Sequence, residues 1–167
     1  MRVKPLIVVL TAAIALVGCG SDKEPSTPSG NGGGDSSSSP GGGDTALPDP
    51  CSLITKDEAA TAMGASVQDG VSSDGTDGRS CVFSASVGSV AVLVYSDVDF
   101  DAIYASNKTV YGEKFSDVSG AGDKAFATPA GVYLHKGGLT VHLQIIGLVD
   151  DAITKTVTLA RAASARM

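Results

Sequence analysis

The chain has 167 residues, a formal net charge of −6 and no tryptophan. From Cys51 onward, nine lysines and arginines stand against thirteen aspartates and glutamates, which argues against a basic nucleic-acid-binding surface. With only four tyrosines and four phenylalanines, the composition also disfavours an extended aromatic platform for a ligand.

The N-terminal segment, 1–18, is predicted to be an export signal. Two basic residues precede an apolar run at 6–17, which is shorter than the roughly 20 residues needed to span a bilayer. The run ends in "LVGC", which resembles the lipobox of bacterial lipoproteins and implies a diacylglyceryl group on the Cys19 sulfur. We therefore expect a lipid anchor on the extracytoplasmic side of the cell membrane. An ordinary signal peptide followed by a coincidental cysteine remains the alternative.

Residues 19–48 are predicted to form a disordered linker. The stretch is rich in Gly, Ser, Pro and Asp and has too few apolar side chains to offset the entropy of ordering. A flexible coil of about 30 residues has an end-to-end distance of roughly 30 Å. The remaining residues, 49–167, have the length of a single globular domain.

Two cysteines, Cys51 and Cys81, remain in that domain. In an exported protein an even pair of cysteines predicts a disulfide, and the absence of a C-x-x-C spacing argues against zinc.

The first half of the domain carries signals for a helix and two strands. Thr55 and Glu58 have the spacing of a capping box, and Gly64 provides a stop for the helix between them. After a turn-rich loop at 69–78, the strands "RSCVFSA" and "SVAVLVYS" follow. The second is apolar on both faces, as expected of a central strand.

The second half begins with a predicted helix at 99–107 and a short strand at 125–128. The stretch "VYLHKGGLTVHLQII" then predicts a hairpin with a two-residue Gly137-Gly138 turn. This register places apolar side chains on one face (Val132, Leu134, Val141 and Leu143) and polar ones on the other (Tyr133, His135, Thr140, His142 and Gln144). A closing helix follows, with Ile153, Val157 and Ala160 as its predicted buried stripe.

These elements predict an α+β domain. We expect an antiparallel sheet of about five strands, in the order α-β-β-α-β-β-β-α, with helices packed against one face.

The segments "DPCSLITKDEAATAMG", "GRSCVFSA" and "VSGAGDKAFA", with the Gly-Gly hairpin and the alanine-rich last helix, resemble a domain of unknown function common among actinobacterial cell-envelope lipoproteins. The resemblance spans nearly all of 49–167. It implies an exported, membrane-anchored domain with one disulfide between Cys51 and Cys81, and it implies no reaction.

Neither metal binding nor catalysis has a strong motif. His135 and His142 share a face, but no third ligand accompanies them, so two ordinary strand histidines are the simpler interpretation. Asp97, Asp99 and Asp101 have the spacing that opens a calcium loop, but the glycine and glutamate that complete such a loop are missing. There is no G-x-S-x-G motif. We therefore predict no catalytic residue, metal or cofactor.

The expected function is that of a non-catalytic binding or accessory domain on a lipid anchor. The ligand is either a small molecule or another envelope protein. The predicted binding face comprises Tyr133, His135, His142 and Gln144, on condition that helices cover only the opposite side of the sheet. A hydrolase with a pocket assembled from distant residues and a passive structural lipoprotein remain as alternatives.

Overall fold

A computed structural model describes residues 47–76 and 78–167. The predicted signal peptide, Cys19 and nearly all of the linker at 19–48 lie outside these residues, so the lipid anchor stays a prediction. Within the described ranges, no helix combines the length and the hydropathy needed to cross a membrane.

The described residues form three α-helices and seven strands. The helices are α1 (Lys56–Met63), α2 (Phe100–Tyr111) and α3 (Ala152–Arg166). The strands are β1 (Val71–Gly75), β2 (Gly78–Ala85), β3 (Gly88–Tyr95), β4 (Ser116–Asp117), β5 (Lys124–Thr128), β6 (Gly131–Lys136) and β7 (Leu139–Gly147). Single turns of 3-10 helix occupy Pro50–Ser52 and Gly112–Lys114.

All seven strands belong to one antiparallel sheet in the order β1-β2-β3-β7-β6-β5-β4. The pairing of β3 with β7 joins the N-terminal strands to the C-terminal ones. In the hairpin of β6 and β7, Lys136 lies opposite Leu139 and Leu134 opposite Val141, so the predicted register is confirmed.

The predicted strand count and element order are wrong, although the α+β class is compatible with the structure. The described residues contain seven strands instead of about five, and β1 and β4 are the additions. All five residues of β1 are exposed, so the strand has no buried side chain and no alternation of apolar and polar residues. The two-residue strand β4 is too short to show a pattern.

The prediction that helices cover only one face is also wrong. One face of the sheet packs against α1 and α3, and we call it the core face. Its strand side chains are fully buried against α1 and α3: Val90, Val92, Val94, Val132, Leu134, Val141 and Leu143. The opposite side, which carries Tyr95, Phe126, Tyr133, Thr140 and His142, is the α2 face. There the ring centres of Phe100 and Tyr104 on α2 lie 5.6 and 5.5 Å from the ring centre of Phe126.

Local chemistry explains where the helices begin. At α1 the Thr55 hydroxyl accepts a hydrogen bond from the Glu58 N–H, and the Thr55 N–H donates to the Glu58 carboxylate, which completes the capping box. Gly64, in the left-handed region at φ 65°, ends this helix. The Asp99 side chain caps α2, which continues to Tyr111 and so exceeds its predicted end at 107.

Two further contacts hold the N-terminal part of the domain. Cys51 and Cys81 lie within disulfide-bonding distance, with their Cα atoms 5.1 Å apart. The bond would join the 3-10 turn before α1 to β2, on the core face of the sheet. Arg79 on β2 donates to the Asp74 carboxylate on β1 at 2.7 Å, which ties the exposed edge strand to its neighbour.

Candidate functional site

The aromatic side chains are unevenly distributed between the two faces. Of the four tyrosines and four phenylalanines, Phe83 belongs to the core-face cluster. The other seven lie on α2, on the α2 face or in contact with it. The chain has few aromatic residues, and most of them are therefore concentrated on the α2 side of the sheet.

Three of these rings and the imidazole of His142 form a continuous row. Phe115 stacks on Phe126 at 4.9 Å, Phe126 on Tyr133 at 5.0 Å, and Tyr133 on His142 at 3.9 Å between ring centres. The register explains the row, because Tyr133 lies directly opposite both Phe126 on β5 and His142 on β7. Cross-strand pairs of this kind stabilise a sheet.

His142 lies at the buried end of this row. Its side chain is 8% exposed, and Nε2 has no hydrogen-bond partner within the described residues. Burial lowers the pKa of His142, and the nearby Ala130 backbone opposes the shift without forming a hydrogen bond of good geometry. Burial therefore favours the neutral form of the imidazole.

A groove of about 520 Å³ separates α2 from the adjoining part of the sheet. The sheet contributes Tyr95, Tyr133 and Thr140, and α2 contributes Ala102, Ile103, Ser106 and Asn107, with Val98 from the preceding loop. None of these eight side chains carries a charge at neutral pH. The volume and the mixture of apolar walls with a few polar groups are typical of small-molecule sites.

The polar groups of the groove are mostly unused by the protein. Within the described residues, no hydrogen bond engages the side-chain oxygens of Tyr95, Tyr133 or Ser106. Asn107 donates through Nδ2 to the Ile103 carbonyl at 2.9 Å. Burial raises the pKa of both Tyr95 and Tyr133, and the neighbouring tyrosines Tyr95 and Tyr111 add to the shift at Tyr133. The two phenols therefore remain protonated hydrogen-bond donors over the physiological pH range.

The structure places the four residues of the predicted binding face on the α2 face, but it does not leave them equally accessible. Tyr133, His135 and Gln144 are partly exposed, whereas His142 is buried and cannot present a binding surface. The His135 ring lies 5.3 Å from Phe100, and its Nδ1 is 3.1 Å from the Thr140 hydroxyl. Because α2 packs over part of this side of the sheet, the condition on which the binding face was predicted is not met, and the fully open face is not present. The Tyr133 end of this side forms a wall of the groove.

The two histidines do not form a metal centre with other side chains. His135 lies opposite Thr140, and His142 lies opposite Tyr133. Within the described ranges, no cluster of three or more His, Cys, Asp or Glu side chains has a geometry that could hold a metal ion.

A second groove, of about 450 Å³, lies between α1 and α3. Its apolar walls include Ala62 and Leu159, and Glu58 is among its polar groups. The Glu58 carboxylate already accepts hydrogen bonds from the Thr55 N–H and from Arg166. Since this polar group is engaged in holding the two helices, the groove beside α2 is the better candidate for a ligand.

Sequence reasoning missed most of the groove. The Gly-Gly register already placed Tyr133 opposite His142, so the start of the aromatic row could have been found. The position of Tyr95 opposite Thr140 depends on the pairing of β3 with β7, which joins segments far apart in the chain. No local pattern predicted that α2 would bring Ser106 and Asn107 over the same face.

The chain belongs to a family described as "Protein of unknown function (DUF3558)", whose model matches residues 14–137. The matched region begins before Cys19 and ends at the turn between β6 and β7. Searches of curated proteins and of solved structures gave no match.

Proposed function

We propose that this member of the DUF3558 family is a lipoprotein, held at the extracytoplasmic side of the cell membrane by a lipid on Cys19, and that its folded domain binds a ligand without catalysing a reaction. The family match supports the anchor because it begins at residue 14 and takes in the "LVGC" motif. Each buried methylene group contributes about 0.8 kcal/mol, so two or three acyl chains hold a protein firmly at a bilayer.

The groove beside α2 is the observation that carries the binding function. It is concave, lined by uncharged side chains, and supplied with hydroxyl and amide groups that have few partners in the described residues. Unpaired polar groups of this kind cost little while they face water, and they gain partners when a ligand enters. The site is therefore suited to hold a molecule that supplies both apolar surface and hydrogen bonds.

A binding function fits the chemistry of the groove better than a catalytic one. Nucleophilic catalysis requires a group whose pKa is lowered or that lies beside a base. Burial instead raises the pKa of the Tyr133 phenol, and the nearby His142 is stacked flat against that ring with its centre 3.9 Å away. These groups can donate hydrogen bonds and present aromatic surface, and they are not arranged to activate a nucleophile.

The linker contributes to the proposed function through local concentration. A domain on a flexible tether of about 30 residues samples the space within a few tens of ångströms of its anchor. Binding to a membrane-associated or wall-associated ligand then becomes effectively intramolecular. Weak contacts in a small groove suffice under these conditions.

Native and denaturing mass spectrometry of the full chain, released from the membranes of its own cells, tests both parts of the proposal. The lipid on Cys19 should persist under denaturing conditions and be absent from Cys19→Ala. A ligand in the groove should appear as extra mass under native conditions and be lost on denaturation.

Two variants on α2 locate that ligand. Ala102 and Ala105 are both exposed, but only Ala102 lines the groove. Ala102→Phe should lose the non-covalent mass, and Ala105→Phe should keep it. A chain that carries no lipid refutes the anchor, and a native mass equal to the denatured mass refutes the carried ligand.

A further inference from the structure

We propose that the ligand of the groove beside α2 is a neutral saccharide. This assignment rests on the proposed function, in that it takes the groove as the binding site. It adds the chemical class of the molecule bound.

The absence of charge in the lining determines the first property of the ligand. The eight side chains of the groove are all neutral, and the two phenols stay protonated because burial raises their pKa values. A charged ligand would give up its hydration in this site without gaining an opposite charge, which is costly. The groove therefore selects an uncharged molecule.

The distribution of polar groups determines the second property. Tyr95 and Tyr133 line the sheet side of the groove, each with an aromatic ring and a hydroxyl, and Ser106 and Asn107 line the helix side. A purely apolar occupant, such as an acyl chain, would cover these hydroxyl and amide groups and leave them without partners. The ligand must itself carry hydrogen-bonding groups that face both walls.

A pyranose ring meets both requirements. One side of the ring presents C–H groups that can pack against the aromatic ring of Tyr95, while its hydroxyls are donors and acceptors around the edge. Both faces of the Tyr133 ring are covered by Phe126 and His142, so Tyr133 offers the ligand its ring edge and its hydroxyl. The stacked rings of Tyr133 and Phe126 hold the Tyr133 side chain in place, so little conformational entropy would be lost on binding. Ala102 supplies a small exposed side chain that leaves room beside the sheet.

Isothermal calorimetry on the full chain in phosphatidylcholine vesicles tests the assignment, with three uncharged hexasaccharides as probes: maltohexaose, mannohexaose and chitohexaose. A hexamer of galacturonic acid, which is negatively charged, is the matched control. We expect at least one neutral hexamer to bind, and the anionic hexamer to bind about tenfold more weakly or not at all.

Paired variants place the saccharide in the groove. Ala102→Phe should abolish binding, whereas Ala105→Phe on the same helix should not change it. Tyr133→Phe, which removes only a hydroxyl, should weaken binding about three- to tenfold. Tyr104→Phe is its control, because the Tyr104 hydroxyl donates to Asp117 outside the groove. Thermal unfolding of each variant verifies that the fold is retained.

Three results would overturn the assignment. They are the failure of every neutral hexamer to bind, equal binding of the anionic hexamer, and unchanged binding by Ala102→Phe. The mass-spectrometric experiment separates such a failure from failure of the proposed function. A carried mass that depends on Ala102 and proves to be a lipid would refute the saccharide and leave the ligand-binding role intact.

Discussion

The two faces of the sheet are built from alternate residues of the same strands, yet they differ in chemistry and accessibility. On the core face, aliphatic side chains are sealed by α1 and α3, and several of them have no exposed surface. On the α2 face, a single helix packs over aromatic and polar side chains and leaves a groove beside it. Successive residues of a strand point to opposite faces, so one sequence encodes both surfaces independently.

This difference separates stability from recognition. The core face is closed and has the composition expected of a domain interior. The α2 face also buries Phe126 and His142, but beside the groove it has the partly exposed side chains of Tyr95 and Tyr133, which contribute less to folding and are available for contact. Variants on the two faces should therefore affect different measurements, and the following predictions proceed from the largest expected effect on stability to the smallest.

Reduction of the bond between Cys51 and Cys81 should lower the free energy of unfolding more than any other change. It removes a link on the core face of the folded domain, and it also releases a constraint on the unfolded chain. The two residues are 30 positions apart, and closing a loop of that size contributes about 3–4 kcal/mol in the chain-entropy model. Urea unfolding with and without a reductant measures the difference. The Cys51→Ser/Cys81→Ser variant should match the reduced protein and should not respond to reductant. A free energy of unfolding that reduction leaves unchanged would show that the two cysteines are not bonded.

A matched pair of leucine truncations compares the faces directly. Leu143 on β7 has no exposed surface on the core face, whereas Leu93 on β3 is partly exposed on the α2 face. Leu143→Ala should lower the free energy of unfolding by about 3 kcal/mol, because it leaves a cavity in a sealed interior. Leu93→Ala should cost about 1 kcal/mol, because the side chain is only partly removed from water. Equal costs in urea unfolding would mean that the two faces are equally closed.

The pH dependence of stability should reveal the buried His142. Because burial lowers its folded-state pKa below the unfolded value of about 6.5, the unfolded chain takes up the proton first as the pH falls. The stability associated with neutral His142 is therefore complete above about pH 7 and declines as the pH falls below about 6.5. The decline stops once the folded protein is protonated too.

Thermal unfolding between pH 7.5 and 5 measures this effect. His142→Phe keeps an aromatic ring beside Tyr133 and should remove most of the decline. His135→Gln is the control, because His135 is partly exposed on the same face, and it should retain the decline. If His142→Phe shows the same slope as the unmodified chain, another group is responsible.

How much of this architecture the sequence predicts depends on how local each signal is. The capping box at Thr55 and Glu58 and the Gly137-Gly138 register are set by neighbouring residues, and both are confirmed. The exposed edge strand β1 carries no buried side chain, so sequence pattern alone treats it as a loop. The groove requires the long-range pairing of β3 with β7 and the placement of α2, neither of which has a local signature.

The smallest effect is expected on the outer surface of the core-face helices, where Glu58 of α1 meets Arg166 of α3. Two hydrogen bonds of 2.8 and 2.9 Å join them, and the Arg166 contact holds the pKa of Glu58 below its ordinary value of 4.5. Both side chains are about one-third exposed, so the ion pair contributes only about 0.5–1 kcal/mol.

Glu58→Gln isolates the charge, because glutamine can still accept the capping hydrogen bond from the Thr55 N–H. At pH 7 this variant should lose about 0.5–1 kcal/mol of stability. The loss should shrink in 1 M salt, where charges are screened over roughly 3 Å. The contribution is complete above the unfolded-state pKa and declines as the pH falls through the lowered folded-state pKa, so the variant and the unmodified chain should converge in acid. This acidic window lies below that of His142, so urea unfolding across pH 3–7.5 should separate the decline that Glu58→Gln reduces from the decline that His142→Phe removes. If Glu58→Gln removes the upper decline instead, the titration that we assign to the α2 face belongs to the contact between α1 and α3.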